Sequence, residues 1–168
     1  MEAKKSIYII DINDITSKND SLNYTIDKEF FSSFENDEVL DANCDVKILI
    51  EKSNNSTKFD LTIEGTLSVQ CDRCLEEVIF PIDFYTVIYV KSTSEIEENT
   101  WNDNGEDEIL WVNPNNATID FKQYIYDSLM LSLPMQRTHG NENIGEQECN
   151  SDILKLITFV EEKEEEEE

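Results

Sequence analysis

Two cysteines near the middle of the chain, Cys71 and Cys74, are the residues best suited to chemistry. Their spacing lets both sulfurs reach one metal ion from a tight turn between strands. In the second half of the chain, the sole histidine, His139, and Cys149 could join them. The remaining cysteine, Cys44, lies in a predicted strand and has the character of a small buried hydrophobe. The sequence therefore predicts a candidate site that draws on two distant segments.

The donor atoms of this candidate site suit zinc. Cys71, Cys74 and Cys149 would supply three thiolates and His139 one imidazole, a soft, mixed set that zinc holds well. The first pair has a standard spacing, whereas His139 and Cys149 are ten residues apart, which is not a standard spacing. Four protein ligands leave no open position for catalysis, so we expect a structural ion. Two interpretations stay open: bound zinc, or a metal-free pair of thiols with a lone surface histidine.

Thiol–disulfide redox chemistry is the alternative use of Cys71 and Cys74. A thioredoxin-type dithiol needs its first thiol at a helix N-terminus that follows a strand. Here strands are predicted on both sides of the pair. A cysteine–histidine dyad lacks a supporting local signature, and a chain with four glycines has no glycine-rich phosphate loop. We therefore do not expect an enzyme.

The charge of the chain indicates its partners. The 168 residues carry a formal charge of −25. Such an acidic surface repels phosphate backbones, so tight direct binding of nucleic acid is disfavoured. The same field favours encounter with a basic partner such as a ribosomal protein, although it could also serve solubility alone. The short apolar stretch Ile7–Ile10 suits neither a signal peptide nor a membrane span, so we expect a cytoplasmic protein.

Three long strands must position the cysteine pair. Apolar residues alternate with polar ones from Ala42 to Glu51 and again from Phe59 to Val69, which predicts an antiparallel hairpin. Val78 to Val90 predicts a third strand of the same meander, with the cysteines at its second turn. Gly65 inside the second strand indicates a bulge or a close backbone approach.

The N-terminal third is predicted to hold a first strand, a loop and an aromatic cluster. Ser6 to Ile12 suits a strand, and the polar stretch Asn13 to Asn23 suits a loop. Tyr24 to Phe34 has a strand-like start and is expected to form one helical turn at its end and to pack in the core. Its alternative is a binding patch.

The C-terminal half is predicted to hold one main helix. After a short strand, Ile109 to Val112, Thr118 could cap a helix that ends before Pro134. The stripe Phe121, Ile125 and Leu129 should face the sheet. Ser151 could cap a second, short helix, Asp152 to Val160.

These elements predict an α+β fold. We expect an antiparallel β meander with one main helix packed on it and a short C-terminal helix. Residues 1–160 would form a single domain. Residues 161–168, seven glutamates and one lysine, would form a disordered acidic tail.

The order of these elements resembles the YceD family of bacterial and plastid proteins, described as large ribosomal RNA subunit accumulation proteins. The resemblance covers roughly residues 40–150. Its specific parts are Cys71-Asp72-Arg73-Cys74-Leu75-Glu76 and the helix end Leu129-Met130-Leu131-Ser132-Leu133-Pro134. Many members carry a histidine and a cysteine, or a second cysteine cluster, after that proline, and His139 and Cys149 occupy those places here.

The resemblance implies a non-enzymatic factor that supports large-subunit ribosomal RNA accumulation or processing. Two features depart from the family's pattern. Members often continue after the last cysteine with an Asp-Pro-Arg and aromatic segment, where this chain has Ser151-Asp152-Ile153-Leu154-Lys155. The glutamate-rich tail is the second departure. The sequence also permits a blander function, that of an acidic interaction module without metal or ribosomal link.

Overall fold

The predicted meander is present as three long neighbouring strands: β3 (Val39–Lys52), β4 (Thr57–Gln70) and β5 (Glu77–Ser92). Alternate residues of β3 are buried, and most of the residues between them are exposed, because one face of the strand lies on the core. The prediction is therefore confirmed. The computed structural model describes residues 7–16, 18–103, 108–140, 144 and 148–155.

Three shorter strands extend this sheet on both sides. β2 (Asn19–Ile26) lies at one edge, and β7 (Glu108–Val112) and β6 (Thr100–Asp103) lie at the other. The order is β2-β3-β4-β5-β7-β6. β7 runs parallel to β5, with Ile88 opposite Glu108, and antiparallel to β6. The sheet is thus mostly antiparallel, and the predicted α+β class is confirmed.

The loop predicted from Asn13 to Asn23 is wrong from residue 19 onward, because β2 begins there. Ile12–Asp14 forms one 3-10 turn before it. The first residues of β2 are polar and exposed. Hydrogen bonding to a neighbouring backbone needs no apolar side chain, and polar residues on edge strands also discourage aggregation.

A separate two-stranded sheet joins the beginning of the chain to the helix region. β1 (Ile9–Asp11) lies within the predicted first strand and pairs antiparallel with β8 (Thr118–Asp120). Thr118 therefore lies in a strand, and the prediction that it could cap the helix is wrong. The carboxylate of Asp120 instead accepts the N–H of Lys122 at 2.8 Å, in the first turn of the helix.

The main helix, α2 (Phe121–Ser132), presents the predicted stripe to the core. Phe121, Ile125 and Leu129 are fully buried. The ring of Phe121 packs against Phe59 of β4 with centroids 5.3 Å apart. The helix ends before Pro134, as the sequence predicted.

Two short helical segments complete the fold. α1 (Lys28–Ser32) follows β2, and its cap Asp27 accepts the N–H of Phe30 at 3.2 Å. Phe30 and Phe31 are buried, which agrees with the predicted core role. Residues 151–155 are helical. Asn150, rather than the predicted Ser151, caps this helix by accepting the N–H of Asp152 at 3.0 Å, and residues 156–160 lie outside the described part of the chain.

Gly65 occupies a position that only glycine fits. Its φ is +154°, and a Cβ there would lie 2.2 Å from the carbonyl oxygen of Asn43 and 2.6 Å from the Cα of Cys44. The close backbone approach predicted for Gly65 is confirmed.

The described residues divide into two compact units. The first lies within Met1–Thr25, Asp45–Glu64 and Asp83–Ser132, and the second within Ile26–Cys44, Gly65–Ile82 and Leu133–Glu168. The single domain expected for residues 1–160 stays a prediction, and the acidic tail 161–168 lies outside the described residues. In the part of the chain that is described, no helix is long and apolar enough to cross a membrane.

Candidate metal centre

The turn between β4 and β5 holds both cysteines of the close pair in the second unit. The N–H of Cys71 donates to the carbonyl of Glu76 at 2.8 Å, and the N–H of Leu75 donates to the carbonyl of Cys71 at 3.0 Å. Leu75 closes the turn in the left-handed region, with φ of +61°. The turn therefore directs Cys71 and Cys74 inward, where both are fully buried.

A set of contacts that we call the Arg137 clamp fixes the segment after α2 to this turn. The N–H of Arg137 donates to Asp72 Oδ2 at 2.7 Å, and the N–H of Asp72 donates to the carbonyl of Arg137 at 2.9 Å. The guanidinium of Arg137 lies 2.9 Å from Glu38 Oε2 and 3.5 Å from Asp72 Oδ1. Since His139 follows two residues later, the clamp brings the histidine to the cysteines.

The hydrogen bonds of His139 decide which ring nitrogen is free to bind a metal. Nε2 lies 2.9 Å from the carbonyl oxygen of Glu77, which can only accept, so Nε2 carries the proton. In the neutral ring Nδ1 is then a lone-pair donor, and it lies 3.2 Å from Cys74 Sγ. A second partner that fixes the ring of a histidine ligand in this way is a regular feature of metal sites.

The fourth residue, Cys149, reaches the cluster from a segment close to the C-terminal helix. Its sulfur lies 3.9 Å from Cys71 Sγ. The next residue, Asn150, donates its side-chain N–H to Glu76 Oε1 at 2.6 Å. This contact holds the segment beside the turn.

The structure brings all four predicted residues together. One ligand atom from each of Cys71, Cys74, His139 and Cys149 lies within 4.8 Å of the other three. Cys44 stands apart, as predicted: it is fully buried in β3, and its thiol donates to the carbonyl of Thr66 at 3.4 Å. All four cysteines are free thiols.

The surroundings of the sulfurs shift their pKa values in opposite directions. Burial alone would raise the pKa of the Cys71 thiol, but backbone N–H groups of Cys74, Arg73 and His139 outweigh burial and lower that pKa to about 6. Burial, hydrogen bonds and the nearby negative charge of Cys71 and Cys74 raise the pKa of Cys149 to about 11. A cation that binds all three sulfurs would therefore have to displace a proton from Cys149.

The arrangement fits a four-coordinate soft cation. Zn–S bonds of about 2.3 Å in a tetrahedron place neighbouring sulfurs about 3.8 Å apart. The Cys71–Cys149 distance of 3.9 Å is close to that spacing. If all four residues bind, the ion has no position for substrate, and the cluster would act as a link between three chain segments.

Sequence reasoning missed the residues that support the cluster. Asp72 and Arg137 are 65 residues apart, and Glu38 is 99 residues from Arg137. No periodicity or motif pairs them. The sequence also gives no sign that the carbonyl of Glu77 accepts from His139, because every residue has a backbone carbonyl.

These observations define an α+β protein with a Cys3His cluster whose close cysteine pair is fully buried. Residues 59–168, more than half of the chain, match the model of the family described as Large ribosomal RNA subunit accumulation protein YceD. The chain therefore belongs to the YceD family, as its sequence suggested. The family's name gives it a role in large-subunit ribosomal RNA accumulation, and it is not a known enzyme family. No curated protein and no solved structure matches the chain.

Proposed function

We propose that this protein is a non-enzymatic factor that supports the accumulation and processing of large-subunit ribosomal RNA and the assembly of the ribosome. The observation that carries the proposal is the family match over residues 59–168. A role in ribosome assembly also implies a cytoplasmic location.

The charge of the chain supports action through a basic protein rather than through RNA. With −25 formal charges, the chain would have to overcome repulsion to hold a phosphate backbone. A basic ribosomal protein or assembly factor meets the opposite sign and would be attracted from a distance. In this proposal the acidic surface shields a basic patch of the partner until assembly.

Binding measured with purified components tests this proposal. Immobilised full-length protein is incubated at physiological salt with large-subunit ribosomal RNA free of protein, and separately with the proteins extracted from large subunits. We expect retention of one or a few basic proteins and little RNA. Retention of bare RNA without any ribosomal protein would contradict the proposed partner.

We further propose that Cys71, Cys74, His139 and Cys149 bind one structural zinc ion. The support is the short distance between the four donors and the free Nδ1 lone pair of His139. When bound, zinc supplies no reaction step: it holds the turn after β4, the segment after α2 and the segment before the last helix in one place.

Metal content of protein purified without added metal or chelator tests the zinc proposal. We expect about one zinc per chain, with three thiols that react only after denaturation or chelation. Ser replacements of Cys74 and Cys44 form a matched pair, since only the first should lose the ion. No metal and freely reactive Cys71 and Cys74 would contradict the zinc site.

A thiol–disulfide redox protein is the alternative. The sulfurs of Cys71 and Cys74 lie within 4.8 Å of each other, close enough for a disulfide after a small movement. Their two thiols would give two electrons and two protons to a small-molecule disulfide, which is reduced to two thiols. Reversible formation of that disulfide would favour the alternative, whereas tightly held zinc excludes it.

A further inference from the structure

A groove of about 410 Å³ lies beside the Arg137 clamp in the second unit. Leu40 of β3 and Leu75 of the cysteine turn contribute its apolar lining, with 37% and 65% of their surface exposed. Leu75 also has a φ of +61°, in the left-handed region that a residue with a Cβ adopts only at a cost in free energy. A large apolar residue is thus held, against its backbone preference, at an exposed position.

The polar lining of this groove carries an excess of negative charge. Asp37, Glu38 and Asp72 face a single guanidinium, that of Arg137. Glu38 and Asp72 are ion-paired with Arg137, yet 63% and 41% of their side chains remain exposed. Each carboxylate oxygen has more than one lone pair, so exposed oxygens of this lining can accept further hydrogen bonds. The hydrogen bond from the Arg137 guanidinium to Glu38, at 2.9 Å, shows that a guanidinium can bond to a carboxylate of this lining.

We propose that this surface, which we call the Leu75 groove, binds an arginine-containing segment of a basic protein that carries an apolar residue next to the arginine. The proposal rests on the proposed function, because it locates the site at which the basic partner is held. The guanidinium of that arginine would donate hydrogen bonds to the exposed oxygens of Asp37 and Glu38. The apolar residue beside it would pack on Leu40 and Leu75.

The charges of the groove argue against the other occupants. RNA would bring phosphates to three carboxylates. A second copy of this chain, packed groove to groove, would bring the same three carboxylates against the first set. A basic peptide with an apolar residue complements both the charge and the exposed leucines.

The test uses the capped peptide Gly-Arg-Leu-Arg-Gly and a matched peptide in which citrulline replaces both arginines. The full-length protein is titrated with each peptide and followed by amide proton–nitrogen NMR. We expect the arginine peptide to shift the amides of Leu40, Gln70 and Leu75 most strongly, and the citrulline peptide to bind more weakly.

Matched variants separate the groove from the acidic surface as a whole. Leu75→Asn removes the more exposed of the two lining leucines while keeping a residue that tolerates a positive φ, and we expect about tenfold weaker binding. Asp37→Asn should weaken binding up to about fivefold. Leu49→Ser alters an exposed leucine of β3 outside the groove, Asp83→Asn alters an exposed aspartate of β5, and both should leave the affinity unchanged. Equal losses in all four variants, or shifts spread over the whole acidic surface, would overturn the proposal.

Two further outcomes keep this proposal apart from the proposed function. If wild type and Leu75→Asn retain the same large-subunit proteins equally well, the groove is wrong while the proposed function stands. If wild type retains no large-subunit protein, the proposed basic partner is wrong, whatever the peptide titration shows. A dimer in sedimentation that Leu75→Asn dissolves would show that a second copy occupies the groove, and would also overturn the proposal.

Discussion

The buried centre of the first unit is aromatic and aliphatic, whereas the buried site of the second unit is built from sulfur and imidazole. Phe59, Phe121, Ile125 and Leu129 have no exposed surface, and neither do Cys71 and Cys74. The apolar centre is stabilised by the total area it removes from water, so its energy is spread over many interchangeable contacts. The cysteine–histidine cluster instead depends on a few directed contacts from distant segments.

This difference means that the two regions should fail in different ways. Loss of apolar volume should lower stability whether or not a metal is present, because the contacts do not involve the ion. Loss of a polar support near the cluster should change the affinity for metal, and should change stability mainly through the bound metal. Both tryptophans, Trp101 and Trp111, lie in the first unit, so tryptophan fluorescence reports on that unit.

The largest expected effect is that of Phe121→Ala. Removing this ring leaves a cavity against Phe59, and we expect the free energy of unfolding to fall by about 3–5 kcal/mol. Urea denaturation followed by tryptophan fluorescence measures it. Phe121→Leu should cost less and keeps the test available if the alanine variant does not fold. Gln123→Ala, on the exposed face of the same helix, is the control, and an equal loss there would contradict the packing argument.

The second effect concerns the Arg137 clamp and depends on the proposed metal. We expect Arg137→Ala to weaken zinc binding by up to about tenfold, because it removes the guanidinium contacts to Glu38 and Asp72 while both backbone hydrogen bonds of the clamp remain. Competition with a chromogenic chelator measures it. Arg73→Ala removes a neighbouring exposed arginine of the same turn and should leave the affinity unchanged. With excess chelator, the free energy of unfolding of Arg137→Ala should be only slightly lower than that of wild type, because only the ion pairs of Arg137 are lost. Equal zinc affinity in both variants would show that the guanidinium of Arg137 does not help to position His139.

The extent to which sequence predicted the structure follows from the same comparison. The long strands were predictable because one buried face imposes a period of two: Cys44, Val46, Ile48 and Ile50 are all buried in β3. The apolar stripe of α2 was predictable because one buried face of a helix repeats its apolar residues every three to four positions. The strand β2 was missed because its pairing is made by backbone groups, which leave little trace in side chains.

The candidate site was predictable in its ligands and not in its supports. Cys71 and Cys74 form a recognisable local pair, and the scarcity of histidine and cysteine left only His139 and Cys149 as their partners. Asp72 and Arg137 were not predictable as supports, since charged residues are common in this chain and their pairing depends on the fold. The parallel pairing of β5 with β7 was not predicted either, because which strands pair also depends on the fold.

A smaller effect is expected from the polar pair of the first unit, Tyr124 and Glu108. The Tyr124 hydroxyl donates to Glu108 Oε2, and burial together with this bond raises the pKa of Tyr124. The folded state thus favours the protonated phenol, so its contribution is complete below the ordinary tyrosine pKa and is lost as pH rises above it. We expect Tyr124→Phe to lower stability by about 1 kcal/mol at neutral pH. The difference from wild type should shrink above pH ~10, which denaturation at several pH values would detect. Zinc content should not change.

The smallest expected effect is a gain in stability at Leu75. Glycine avoids the cost of about 1–2 kcal/mol that a residue with a Cβ has at φ of +61°, but it loses about 0.5–1 kcal/mol through greater freedom of the unfolded chain. We therefore expect Leu75→Gly to raise the free energy of unfolding by about 0.5 kcal/mol. Chemical denaturation of the metal-bound protein measures it, and Leu75→Ala, which keeps the backbone cost, serves as the control. A loss of stability in Leu75→Gly alone would show that the leucine side chain packs within the turn. The second unit would then hold its cluster partly by apolar contact, and the contrast between the two units would be weaker.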